Sequence, residues 1–356
     1  MFSIILHIQI HTYMNMQGTN ILVIYTGGTI GMVKNPQTNA LSPIDFDQLY
    51  KLLPVLENYN YKIEHISFNP LVDSSDMKPD FWIRLATIIG ENYEKYDGFV
   101  VLHGSDTMAY SASVLSFLLE NLNKPVVFTG SQLPLGVIRT DGRENFINAI
   151  EIAAAYIEDT PLVPEVTVFF ENKLFRGNRV SKFNAENFQA FISGNFFPLA
   201  EAGVEIKYNT HLIMKPNFKK LKVHTKLDNN VAILKLFPGI SQNVIDSILD
   251  TKDLKAVILE TFGSGNAPTD KGFINSLKKA NDNGVLIFNV TQCKGGHVEM
   301  GKYATSASLP EIGVVSGHDI TTEAAMAKLM FLLGQELPTE KIKELLQKPM
   351  RGEMSL

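Results

Sequence analysis

The chain has a single cysteine, Cys293, in 356 residues. An intramolecular disulfide is impossible, any mechanism that needs two thiols is excluded, and a reducing, cytoplasmic location is expected. An excess of basic residues is also missing. The formal charge is −5 at pH 7, so the chain has no electrostatic footprint for nucleic acid or an anionic membrane surface, and neither is expected as a partner. Charge of either sign is absent ahead of Lys34. The opening "FSIILHIQI" has no basic start and no small-residue cleavage site, and histidines interrupt it. It is too short to span a bilayer. Residues 1–16 are expected to be an extension, disordered or an artefact of start-site choice. His7 and His11 have helical i, i+4 spacing, but no third ligand lies nearby, so no metal site is expected.

Apolar residues make up 45% of the chain and charged residues 19%. That is a globular composition, and the length suits one large or two medium domains. Short apolar runs alternate with helical patterns. "NILVIYT" (20–26), "YKIEHISF" (61–68), "GFVVLHG" (98–104), "PVVFTGS" (125–131) and "EVTVFFENKLFRG" (165–177) read as strands. "DFDQLYKLLPVL", "PDFWIRLATIIGENYEKY" (79–96), "DTMAYSASVLSFLLENL" (106–122) and "DGRENFINAIEIAAAYI" (141–157) read as helices. The expected fold is α/β with two α/β domains: a larger N-terminal one on a mainly parallel sheet, and a smaller C-terminal one. The first is expected over 17–205 and the second over 231–356. The aperiodic Lys-, Asn- and Pro-containing stretch 206–230 reads as a linker. In such sheets function gathers at the carboxyl ends of the strands. Thr26–Thr29, His103–Thr107 and Thr129–Gln132 all follow expected strands.

"TGGTIG" (26–31) fits neither phosphate template. No lysine occurs before Lys34, and the glycines stand at 27, 28 and 31 rather than in G-x-G-x-x-G. The turn is either structural or a seat for an exposed threonine nucleophile. In "HGSDTM" (103–108), Ser105 and Asp106 fall at a helix start, where they could cap the helix or serve an anionic group. "LVDSSDM" (71–77) suits either a grip on an α-amino and α-carboxylate group or an ordinary polar loop. Lys182 in "GNRVSK" is either a solvated charge or a lysine activated by a carboxylate.

Taken together, "YTGGTIGM", "DSSDM", "HGSDTMAY", "TGSQLPL", "RGNRVSK" and "GSGNAP" resemble the L-asparaginases, in particular the bacterial cytosolic type I branch. The resemblance runs in order from about residue 20 to "MRGE" near the C-terminus. It implies hydrolysis of the side-chain amide of L-asparagine to L-aspartate and ammonia, without a cofactor. Its implied nucleophile is Thr29, with a second catalytic set of Ser105, Asp106 and Lys182. It implies substrate contacts from Gly28, Asp73, Ser74, Ser75, Ser105 and Asp106. It also implies a homodimer or homotetramer in which Asn266 reaches across to a neighbouring subunit's site.

Three positions depart from the pattern. Ser105 stands where the family has its second catalytic threonine. The loop after the nucleophile has no tyrosine before Tyr50. Glu260 stands where some type I enzymes use an arginine to bind activating asparagine at a second site, although Thr291 and Cys293 match the rest of that site. A reversed charge at a carboxylate pocket predicts no activation by that route. The alternatives are a relative acting on glutamine, including the glutaminase part of a tRNA-linked amidotransferase, or an amino-acid-binding protein of the same fold without turnover. A nucleotide-binding α/β protein is disfavoured by the missing phosphate templates.

Overall fold

A computed structural model describes residues 18–34, 41–58, 60–302 and 304–356. The extension expected over 1–16 lies outside the described residues. Two sheets carry the fold. The first has eight strands in the spatial order Ile206–Tyr208, Ala200–Ala202, Lys173–Arg176, Val166–Phe170, Val126–Thr129, Gly98–Leu102, Thr19–Tyr25 and Tyr61–Ser67. From Val166–Phe170 to Tyr61–Ser67 the neighbours run parallel. The other edge turns antiparallel. The second sheet is parallel, in the order Val231–Lys235, Ala256–Thr261, Leu286–Thr291 and Val315–Ser316.

The central strands read as unbroken apolar runs because both faces are covered. Ile21 to Tyr25, Phe99 to Leu102 and Val126 to Phe128 are fully buried. Pro79–Asn92 and Met108–Leu118 cover one face, and Gly142–Ala153 lies against the other. Met108–Leu118 is apolar almost all round, as a helix covered on every side must be. Its outer face meets Thr322–Gly334, a similarly apolar helix from the C-terminal half. Phe117 stacks on Phe331 there at 5.8 Å between centroids. The two halves therefore share one continuous core. Among the described residues no helix is long and apolar enough to cross a membrane.

Three details differ from the sequence pattern. The stretch read as one strand over 165–177 is a hairpin, Val166–Phe170 and Lys173–Arg176, turning at Glu171 with φ 49°. The helix expected in "DFDQLYKLLPVL" spans only Phe46–Lys51 and gives way to a 3-10 turn at Pro54–Asn58, where proline cannot donate to a helix. Within the aperiodic 206–230 stretch, Ile206–Tyr208 joins the first sheet and Lys222–Val223 pairs with Leu119–Glu120.

The C-terminal tail fastens both halves. Arg179 Nε donates to Gly352 O at 2.7 Å, and Asn178 Nδ2 donates to Arg351 O at 2.9 Å. Lys328 and Glu353 form an ion pair at 2.7 Å with both side chains fully buried. Lys328 also donates to Leu346 O and Lys348 O. Burial lowers the Lys328 pKa, and the Glu353 carboxylate opposes that shift. Removing one partner leaves a buried charge unpaired. Glu353→Ala is therefore expected to lower the unfolding free energy by about 3–5 kcal/mol. Lys328→Met combined with Glu353→Leu should recover only part of that loss, because Leu346 O, Lys348 O and the Met350 and Arg351 N–H groups lose their partners. Urea unfolding of the three proteins measures both effects.

Candidate active site

Three loops leave the carboxyl ends of adjacent parallel strands and meet backbone to backbone. Gly27 and Gly28 have φ of 133° and 94°, the region that favours glycine. A Cβ on Gly27 would collide with the carbonyl oxygen of Val72. A Cβ on Gly28 would lie 2.6 Å from Gly104 N and 2.9 Å from the His103 carbonyl carbon. A Cβ on Gly104 would lie 2.5 Å from Ser74 Oγ. The glycines of "TGGT" and "HGS" thus exist to let three loops touch. The turn is fixed further by Val72 N donating to Thr26 O at 2.8 Å and by Thr26 Oγ1 donating to Leu102 O at 2.8 Å. Tyr25, pushed up to a pKa of about 12 by burial, donates its hydroxyl to Gly31 O at 3.1 Å.

Thr29 opens a short 3-10 turn, Thr29–Gly31, and is half-buried. Among the described residues no hydrogen bond engages its hydroxyl. The loop that meets its turn, Gly104 against Gly28, carries a second group. Lys182 Nζ donates to Ser105 Oγ at 2.9 Å and to Asp106 Oδ1 at 2.5 Å. The Ser105 hydroxyl donates to Gln132 Oε1 at 3.3 Å. Ser105 and Asp106 are not capping the helix that follows. Its N-cap is Thr107, which makes no side-chain cap bond and instead donates Oγ1 to Ser74 O at 2.6 Å. Lys182 is largely buried, at 17% side-chain exposure, whereas Asp106 is open to solvent at 67%. The lysine is a held group between a hydroxyl and a carboxylate, not a solvated charge.

The 73–75 loop reaches the same place. Ser74 is buried against Gly104, and Asp73 and Ser75 are exposed. Asp73 Oδ1 accepts from Ser75 N at 2.9 Å and from Ser75 Oγ at 2.8 Å. Those two bonds, the backbone one first, hold its carboxyl below the usual range. The structure therefore brings Gly28, Thr29, Asp73, Ser74, Ser75, Ser105, Asp106 and Lys182 into one group of loops. Asn266 is bonded elsewhere in its own chain: its Oδ1 accepts from Thr305 at 2.8 Å. Tyr50 stacks on Phe46 at 6.1 Å in the core beside the sheet. Residues 35–40 of the loop after the nucleophile lie outside the described residues.

Glu260, Thr291 and Cys293 line a small cavity together with Ser181. The Glu260 carboxylate is already engaged, accepting from Thr322 Oγ1 at 2.6 Å with Lys235 at 3.5 Å. Three supporting residues were not singled out from the sequence. Gln132 ties Ser105 to the next loop, donating Nε2 to Ala185 O and Asn187 O. Glu323, from the C-terminal half, accepts from Ser181 Oγ at 3.0 Å, one residue before Lys182. His103, fully buried before Gly104, completes a fixed chain. Gly104 O can only accept, so His103 Nδ1 carries the proton at 2.7 Å. His103 Nε2 then accepts from Ser111 Oγ, which accepts from Trp82 Nε1, both at 2.8 Å.

Burial pushes the His103 pKa down to about 4, with the Gly104 hydrogen bond opposing it. Between pH 6.5 and 4 the unfolded chain gains a proton that the folded chain refuses. Stability should therefore fall as pH falls through that window, by about 3 kcal/mol from this group. The pH dependence of urea unfolding should flatten in that window for His103→Gln.

A free hydroxyl on a glycine turn, a hydroxyl–lysine–carboxylate relay and a nearby helix N-terminus are the parts of an acyl-transfer site. A family model described as the asparaginase N-terminal domain matches residues 20–214. The glutaminase/asparaginase C-terminal domain model matches residues 230–346. L-asparaginase 1 of Escherichia coli (strain K12) is 43% identical over 96% of this chain and 99% of its own length. The 60 kDa lysophospholipase of Homo sapiens is 42% identical over 94% of this chain and 61% of its own length. The crystal structure of L-asparaginase I from Vibrio cholerae superposes with a TM-score of 0.85 at 44% identity, covering 95% of this chain and 99% of that one.

Proposed function

The chain belongs to the asparaginase family, and from that premise we propose that it is a type I L-asparaginase, hydrolysing the side-chain amide of L-asparagine to L-aspartate and ammonia. The observation that carries the mechanism is Lys182 held between Ser105 and Asp106, beside the glycine turn that presents Thr29. Thr29 Oγ attacks the amide carbon, and its proton passes through the neighbouring polar groups to the amide nitrogen. The tetrahedral intermediate expels ammonia and leaves an aspartyl ester on Thr29. Ser105, polarised by Lys182 and Asp106, orients the water that hydrolyses the ester and regenerates Thr29. Backbone N–H groups at Gly28 and Ser105 face the developing oxyanion. Asp73, Ser74 and Ser75 hold the α-amino and α-carboxylate groups, with Asp73 kept ionised by its bonds to Ser75.

The polar loops around Ser105, with exposed carboxylates at Asp73 and Asp106, favour a small zwitterion over the acyl chain suggested by the name of the longer human relative. Asparagine and glutamine differ by one methylene, worth only about 1–3 kcal/mol in a pocket. The assay therefore includes both amides. A cytoplasmic location follows from the family branch and from a lone, exposed Cys293. Homodimer or homotetramer assembly, with Asn266 completing a neighbour's site, belongs to the same reading. Among the described residues Thr305 engages only the amide oxygen of the Asn266 side chain, which leaves its amide nitrogen for a neighbour's site.

Ammonia release from L-asparagine should fall by about 10³-fold or more in Thr29→Ala and by about 10²–10⁴-fold in Lys182→Met, with both variants folded. No ammonia from either amide with the unaltered protein would favour the binding-protein reading. The rate should also rise hyperbolically with asparagine concentration, because the Glu260 carboxylate repels an amino-acid carboxylate at the second cavity. A sigmoidal curve would contradict that.

A further inference from the structure

The hydrogen-bond series Trp82, Ser111, His103, Gly104 has a direction. The Trp82 indole N–H can only donate, so Ser111 Oγ accepts it and gives its own proton to His103 Nε2, both at 2.8 Å. The proton of the neutral imidazole is then on Nδ1, which donates to Gly104 O at 2.7 Å. A pure donor at one end and a pure acceptor at the other select the same tautomer. All three side chains are buried, and Phe128 stands edge-on to the imidazole at 5.8 Å between centroids. Trp82 comes from the helix Pro79–Asn92 and Ser111 from Met108–Leu118, so two helices packed on the sheet hold the ring.

Gly104 O belongs to the same peptide group as Ser105 N. That peptide is trans, so its N–H points opposite to its carbonyl. The carbonyl turns toward the buried imidazole, and the Ser105 N–H therefore turns away from it. Among the described residues that N–H has no hydrogen-bond partner. Gly104 has no Cβ to restrict the rotation of this peptide, so its plane depends on what holds the carbonyl. We propose that His103 is a positioning residue: by holding Gly104 O, its Nδ1–H aims the Ser105 N–H at the oxyanion that forms when Thr29 attacks. This rests on the acyl-transfer reading of the site. An oxyanion donor is effective when it is aimed before the charge develops. A neutral imidazole does that without placing a charge of its own beside the Lys182 and Asp106 pair. His103 touches neither substrate nor reacting atoms, and acts through one backbone plane.

The test compares two amide side chains at position 103. In His103→Asn the amide nitrogen stands near the place of Nδ1 and keeps a donor for Gly104 O. In His103→Gln it reaches the place of Nε2 and leaves Gly104 O unheld. For ammonia release from L-asparagine, kcat of His103→Gln should fall about 10²-fold, the cost of a misdirected oxyanion donor. Its KM should stay within about threefold, because Asp73, Ser74 and Ser75 still hold the substrate. His103→Asn should turn over at least tenfold faster than His103→Gln, although the smaller side chain leaves a void and should melt at the lower temperature. A merely structural role predicts the reverse order, with kcat following the melting temperature. Nitrogen NMR of the unaltered protein, labelled at histidine and without substrate, should show the His103 proton on Nδ1. A proton on Nε2 would overturn the proposal even if His103→Gln failed to fold. Unchanged kcat in folded His103→Gln, or equal kcat in the two variants, would overturn it while the reading of the site stood. No ammonia from the unaltered protein with either amide would sink that reading and the proposal together.

Discussion

The site depends on three backbones coming closer than side chains permit. Gly28 lies against Gly104, Gly27 against Val72 and Gly104 against Ser74. Each contact requires a missing Cβ, and Gly27 and Gly28 also require a positive φ. These contacts bring a threonine from one strand end beside a serine and an aspartate from the next. Parallel strands make this possible, since adjacent ones deliver their loops to the same edge. The glycines then decide how tightly the loops close.

The C-terminal half takes part in the same geometry. The helix that begins just after Ser105 and Asp106 packs on Thr322–Gly334, with Phe117 of its last turn on Phe331, so the C-terminal half holds it in place. Glu323, in the first turn of that second helix, binds the residue before Lys182. Lys328, further along the helix, is paired in the core with Glu353 of the tail. One helix of the second half therefore supports the hydroxyl–lysine pair and anchors the chain's end. A buried ion pair contributes little net stability, but breaking it is costly, so it fixes where the tail must lie.

The strands were legible where both faces are covered, because Ile21–Tyr25 and Phe99–Leu102 then read as continuous apolar runs. The hairpin at Val166–Arg176 was not. Its turn uses Glu171 at positive φ where the pattern rules look for glycine or asparagine. The short pairing of Lys222–Val223 carries too few residues to show a period. In the site, each motif taken alone left a structural and a chemical reading open. Lys182 lies 77 positions from Ser105 and 76 from Asp106, and no local pattern joins residues at that range. The family resemblance supplied the grouping, and the geometry then excluded capping as the role of Ser105 and Asp106. His103, Ser111 and Trp82 stayed hidden because their chain is made only by packing.

The central claim is that Thr29, rather than Ser105, carries the covalent intermediate. Acid-quenching the unaltered protein during turnover of L-asparagine and mapping modified peptides by mass spectrometry tests this most directly. The account predicts an aspartyl ester on the peptide that contains Thr29 and none on the peptide that contains Ser105. An ester on Ser105 would contradict it, and the roles assigned to the two hydroxyls would have to be exchanged.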